Sequence, residues 1–286
     1  MPALWDEGLK RLLRASPQDF ISWLAPGATY QKMLLTELYR KLDSHRNVIA
    51  DSMCLCRLHD QDVIVHIEFQ SEGDRQMAMR LLEYNVLADR EYSCPVLSCV
   101  IYVRRDYGIA ASPLTRRLPD GSLVYQFHFL TISLWEHSAQ ELLEGNLPGL
   151  LALLPLTRDG KDPAVIDEMI VRLQAHDNYE MLSLSYLFSA LTWTREDERE
   201  WIQRRFAMLR DELQESWAYQ EILHLCRGRR TLLVVASTCL LHGSKLILRR
   251  MAARGVLSLA RGVARRPTAG EARAGRRPAP LVCASL

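Results

Sequence analysis

The sequence predicts an α/β fold: a mixed sheet flanked by helices, then a helical segment, then a basic, poorly ordered tail. Three observations carry this. Two β-rich runs, Ser52–Leu58 and Val63–Gln70, flank a polar turn. Arg75–Tyr92 follows with the apolar spacing of a helix and leads into a further apolar run, Val96–Val103. Beyond Cys226 the composition changes abruptly.

The elements follow in order. Leu34-Leu35-Thr36-Glu37-Leu38 reads as a helix that carries Glu37. Ser52–Leu58 (SMCLCRL) is a short apolar strand, His59-Asp60-Gln61-Asp62 a turn, and Val63–Gln70 (VIVHIEFQ) a second strand. Side chains alternate along a strand, so Ile64, His66, Glu68 and Gln70 share one face. Ser71-Glu72-Gly73-Asp74 breaks the strand. In Arg75–Tyr92, Met77, Leu81, Tyr84 and Ala88 form a core-facing stripe. Cys94-Pro95 ends that helix, and Val96–Val103 (VLSCVIYV) reads as a buried strand. After a Pro/Gly/Asp-rich loop, Tyr125–Trp135 (YQFHFLTISLW) reads as one more strand. The predicted order is helix, strand, strand, strand, helix, strand, strand, helix. Residues 137–225 read as helical throughout. Pro148 interrupts the apolar stretch Glu141–Leu154, Asp162-Pro163 opens a helix with a capping aspartate, Tyr179–Thr192 is a second helix, and Thr194–Asp197 caps a third.

Asp51 precedes the first strand of the hairpin, and Glu68 stands seventeen residues later near the end of the second. A tight turn folds the later carboxylate back toward the earlier one. Two carboxylates at one end of a sheet, with the polar Gln70 beside them, can hold a divalent cation and a water. The plainer alternative is a surface hairpin whose acidic ends are solvated.

Asp51, the Glu68-Phe69-Gln70 triplet, Gln76–Tyr84 (QMAMRLLEY) and the strand opening Pro95-Val96-Leu97 together resemble the recombination-promoting nuclease family, whose members are also described as transposase-like. That family belongs to the PD-(D/E)XK nuclease superfamily. The resemblance spans about residues 5–150. It implies a PD-(D/E)XK-like core and a Mg²⁺-dependent DNA endonuclease, with Mn²⁺ as a substitute metal and an association with recombination or mobile elements. Phosphodiester hydrolysis needs an activated water and charge neutralisation at the leaving oxygen, both of which a bound Mg²⁺ supplies. Asp51 and Glu68 would be carboxylate ligands, and the backbone carbonyl of Phe69 a third, as the resemblance implies. Gln70, where lysine is common in the superfamily, would orient the attacking water. Catalysis is therefore assigned to Asp51, Glu68 and Gln70, and metal binding to Asp51, Glu68 and Phe69.

Around these residues, His66 is either a proton shuttle or a packed strand histidine. Glu37 is an additional ligand or part of a solvated face. Arg75, Arg80 and Arg104-Arg105 border the core and could contact phosphate. Seven cysteines without a CxxC pattern read as buried free thiols in a reducing cytoplasm. No arginine-flanked apolar stretch stands at the N-terminus, so no secretory signal is expected.

The net charge of +2 conceals a division. Residues 227–286 hold thirteen Lys and Arg against one acid, Glu271, leaving 23 basic and 33 acidic side chains on the other 226 residues. The predicted organisation is a nuclease-like core over 1–136, a helical part over 137–226 and an Arg/Ala-rich tail over 227–286. The tail is either a phosphate-neutralising arm or a segment that is no selected fold, such as the product of a shifted reading frame; its lack of acids and of helical pattern favours the second. Thr231–Leu248 is apolar enough to raise the question of a membrane helix, but His242 and Lys245 interrupt it, and no membrane partner is expected. DNA and a second copy of the chain are the expected partners. Two function classes remain: the metal-dependent endonuclease, and a non-catalytic nuclease-like protein that acts through protein or DNA binding.

Overall fold

The computed structural model describes residues 2–39, 47–49, 52–105, 108–193, 195–207, 209, 213 and 216–222. Helices α1 (Pro2–Ala15) and α2 (Pro17–Leu24) open the chain, followed by strand β1 (Thr29–Met33) and a short pair, β2 (Glu37–Tyr39) and β3 (Asn47–Ile49). Next come the hairpin β4 (Ser52–Leu58) and β5 (Gln61–Gln70), helix α3 (Met77–Tyr92) and strand β6 (Val96–Tyr102). A second hairpin, β7 (Leu114–Arg117) and β8 (Leu123–Phe127), precedes strand β9 (Leu130–Ser133). Helices α4 (Ala139–Glu144), α5 (Pro148–Leu151), α6 (Pro163–Ala175), α7 (Tyr179–Thr192) and α8 (Glu196–Ala207) follow. Up to Cys226 the chain forms one compact unit. The expectations for residues 227–286, including the question over Thr231–Leu248, lie outside the described residues. Among the described residues no helix is long and apolar enough to cross a membrane.

The main sheet is mixed, as expected, with strand order β1-β4-β5-β6-β9. β4 runs antiparallel to both β1 and β5, while β5–β6 and β6–β9 are parallel. The β4–β5 hairpin is tighter than its sequence suggests. His59 and Asp60 turn it alone, with φ of 46° and 62°. Two successive positive φ values give a turn whose twist matches the strands it joins, and β5 therefore begins at Gln61.

The sheet separates two bodies of apolar packing. On one face Cys54, Cys56, Val65, Ile67, Phe69, Cys99 and Ile101 share a core with α1, α2 and the helices from α4 onward. The ring of Trp5 stacks on Phe188 at 5.6 Å, and Phe20 meets Phe69 edge-on at 6.0 Å. The helices after residue 137 thus complete the sheet's core. α2 and α5 approach closely: the Gly149 N–H donates to Asp19 Oδ2 at 2.6 Å. The capping aspartate is in place, Asp162 accepting from the Ala164 N–H that opens α6.

α3 covers the other face, and its apolar contacts fall into two groups. Met53, Ile64, Tyr84, Leu87 and Ala88 form one, and Met77, Leu81, Val100, Tyr102 and Phe129 the other. The predicted stripe of Met77, Leu81, Tyr84 and Ala88 is buried as expected.

Two predicted elements are corrected. Residues 34–38 are no helix: the Leu34 N–H donates to the Met53 carbonyl, carrying the chain on beside β4, and Glu37–Tyr39 pairs with Asn47–Ile49 as a strand. Five residues are too few to repay helix nucleation when strand partners are at hand. The stretch 125–135 is not one strand. β8 pairs with β7 in a separate two-stranded sheet, and β9 pairs with β6 in the main one. Phe129, between them, turns its ring into the α3-face core while its N–H donates to Ser112 Oγ.

Candidate functional site

The site is built on the last third of β5. This strand is central, with an antiparallel neighbour on one side and a parallel one on the other. Alternation turns His66 and Glu68 toward α3, and both are fully buried. Glu68 is the one carboxylate among the buried polar side chains of the described residues. A lone buried carboxylate would be costly, and its surroundings answer that cost. Glu68 Oε1 lies 3.2 Å from His66 Nε2, and Oε2 accepts from Arg80 Nη2 at 3.1 Å.

The polar contacts continue on both sides. His66 Nδ1 faces Ser98 Oγ at 3.4 Å, and the Asn85 side-chain amide donates to Ser98 Oγ at 3.0 Å and to the Val96 carbonyl at 2.7 Å. Arg80 Nη1 reaches Asp74 Oδ2 at 2.9 Å, while Asp74 Oδ1 accepts from the Gln76 N–H. Tyr84, one turn beyond Arg80 on α3, sets its ring edge-on to His66 at 5.3 Å and within 5.8 Å of the Arg80 guanidinium. A polar chain Asn85–Ser98–His66–Glu68–Arg80–Asp74 therefore runs between the two apolar groups under α3. Burial works against the charged form of Arg80. The hydrogen bond to Asp74 and the charges of Glu68 and Tyr84 outweigh it and raise the guanidinium above its ordinary value.

The predicted residues are distributed as follows. Asp51 lies outside the described residues, as does the side chain of Glu37. Phe69 points away from Glu68, its ring packed in the opposite core, while its backbone pairs with Ile101. Gln70 is half-buried at the strand's end, its carbonyl accepting from the Val103 N–H. Gln70 also borders a small cleft of about 210 Å³ with Trp5, Asp6, Leu9, Phe69, Ser71 and Glu72. His66 is a packed strand residue in contact with Glu68. Among the described residues no group of three His, Cys, Asp or Glu side chains is placed to hold a metal ion.

Arg80 is where the structure adds most to the sequence reading. Its sequence suggested a phosphate contact, but it donates to the candidate ligand itself, Glu68, as well as to Asp74. The signal was present: Arg80 stands three residues after Met77 and four before Tyr84, on the edge of the buried stripe. The partners Asp74, Asn85 and Ser98 carried no such signal.

The chain matches no known protein-family model, no characterised protein and no solved structure.

Proposed function

We propose that this chain is a metal-dependent DNA endonuclease with Glu68 at its centre. One observation carries the reading: a carboxylate buried near the carboxyl end of a central strand, where antiparallel pairing gives way to parallel. Buried ionisable side chains at such a place are candidates for function. The donor set agrees in kind. The Glu68 carboxylate, the Phe69 carbonyl and the Gln70 amide are all oxygen donors, the type Mg²⁺ takes. Asp51 is tied to them by the chain alone, being bonded to Ser52, which pairs with Ile67, the neighbour of Glu68. The metal, when bound, would neutralise phosphate charge and lower the pKa of a water. Gln70 would hold that water by its amide. Arg80 would yield Glu68 Oε2 to the cation and remain nearby, held by Asp74, to face the phosphate.

A second reading, a non-catalytic nuclease-like protein, is favoured by one specific fact: Glu68 is wholly enclosed and both of its oxygens are engaged. Plasmid nicking with Mg²⁺ against EDTA separates the two. Wild type should nick only with the metal, and Asp51→Ala and Glu68→Gln should each reduce nicking at least a hundredfold, with far-UV circular dichroism unchanged. Undiminished nicking by Glu68→Gln would remove Glu68 from the site. An inactive wild type over a range of Mg²⁺ and Mn²⁺ would favour the second reading.

A further inference from the structure

We propose that the β7–β8 hairpin, with the turn leading into α3, is a docking surface for the phosphate backbone of duplex DNA. The inference rests on the reading above for its choice of partner, and deepens it by naming the surface.

The hairpin is an excursion between β6 and β9, paired only with itself. Its inner face is anchored. Leu114 and Phe127, which pair across the strands, pack against the group of Met77, Leu81, Val100, Tyr102 and Phe129. The next pair on that face is Arg116 and Tyr125. The Tyr125 hydroxyl donates to Met79 Sδ on α3 at 3.7 Å, so Arg116 emerges beside the first turn of α3. Arg75 is exposed in the turn that enters this helix.

The connection from β6 supplies two more cations. Arg104 and Arg105 are exposed and directly follow Val103, whose N–H donates to the carbonyl of Gln70. The same connection then passes close to the start of α3, where a Cβ on Gly108 would meet Gly73 Cα at 3.6 Å. Arg75, Arg104, Arg105 and Arg116 are thus exposed around the entry to α3 and the end of β6 that pairs with Gln70, and Arg117 is exposed further out on the hairpin. Among the described residues none of the five pairs with a carboxylate, although Arg117 donates to the Gly121 carbonyl in the hairpin turn. Elsewhere Arg57 is matched by Asp62 and Arg195 by Asp197, whereas the exposed Arg14 and Arg158 stand singly and apart from this group. Unmatched guanidinium groups over one end of a sheet fit a regularly charged polyanion, which binds through phosphate and gains from counterion release.

The test is binding in EDTA, so that it does not depend on catalysis. A fluorescein-labelled 25-base-pair duplex is titrated by anisotropy at several salt concentrations between 50 and 200 mM. The variants are Arg75→Gln/Arg116→Gln, which leaves the Arg117 turn contact intact, and Arg57→Gln as a control at the opposite end of β5. The double variant should bind about tenfold or more weakly, with the slope of log K against log salt reduced by about 0.9 for each phosphate no longer neutralised. The control should match wild type. Unchanged affinity and slope in the double variant, with wild type still nicking plasmid, would overturn this surface and leave the nuclease reading standing. A wild type that neither binds the duplex nor nicks would overturn both. A double variant that changes sedimentation but not DNA binding would assign the hairpin to self-association and overturn the proposal.

Discussion

Removing Arg80 should strand a negative charge under α3, and the cost can be estimated from the geometry. Breaking a fully buried ion pair by deleting one partner costs about 3–5 kcal/mol, whereas an exposed pair contributes about 0.2–1 kcal/mol. Here Glu68 is 0% exposed and Arg80 36%, so the pair lies between these limits. The substitution also removes the hydrogen bond to Asp74 and the packing on the Tyr84 ring. Arg80→Ala is therefore expected to cost about 2–3 kcal/mol, a fall in Tm of roughly 5–10 °C for a body of this size. Glu68→Gln keeps the shape, removes the charge and leaves Arg80 both its solvent access and Asp74, so about 1 kcal/mol is expected. The informative quantity is the double variant. Once Gln stands at 68 no charge is stranded, so Arg80→Ala/Glu68→Gln should be less destabilised than the sum of the singles by about 1–2 kcal/mol. Urea melts at pH 7 give all three values. Strict additivity, or a cost below about 0.5 kcal/mol for Arg80→Ala, would refute the account of the pair.

Two further outcomes follow from other regions. Gly149→Ala should destabilise by about 1–3 kcal/mol through overpacking, because its Cβ would overlap Ser16 Cβ and lie 2.9 Å from Asp19 Oδ2; an unchanged melting curve would mean that α2 and α5 separate freely. Burial pushes the Cys54 thiol up to about 12, aided by the charge of Cys56, and Cys56 up to about 11. At pH 8 their thiolate fractions are roughly one in a thousand or less, so peptide mapping after iodoacetamide should find both unlabelled until denaturant is added. The folded chain also keeps these protons where the unfolded chain loses them. The stability they contribute is intact below about pH 9 and falls as pH rises toward about 11, which a urea series from pH 8 to 10.5 would register.

The legible parts of the fold were those with a strong local code. β4, the end of β5, the body of α3 and the cap at Asp162 follow from alternation, from the Met77-Leu81-Tyr84-Ala88 stripe and from the Asp-Pro pair. α1 and α2 also carry a readable period, in Leu9, Leu12, Leu13, Phe20, Ile21 and Leu24, all of them buried. The stretch 125–135 misled because it is uniformly β-forming, and nothing local marks Phe129 as the point where the chain leaves one sheet for another. The site was half legible. Alternation placed His66 and Glu68 on one face, but that Arg80 would close over Glu68 depends on the docking of α3, which no spacing along β5 encodes. Gln70 followed from the triplet, while the cleft beside it needs α1.

The two edges of the main sheet have a consequence for how this protein stays apart from its own copies. Exposed backbone along an edge invites a strand from another molecule. Here one edge is β1, whose register slips between Tyr30 and Lys32 and which presents Gln31 and Lys32 outward. The other is β9, only four residues long and followed at once by the turn at Leu134–Glu136. A bulge with a lysine blunts the first edge, and brevity blunts the second. Neither offers the long, flat template on which strand addition and fibre growth depend. Strand addition at either edge of the main sheet is disfavoured by the same few residues that end it.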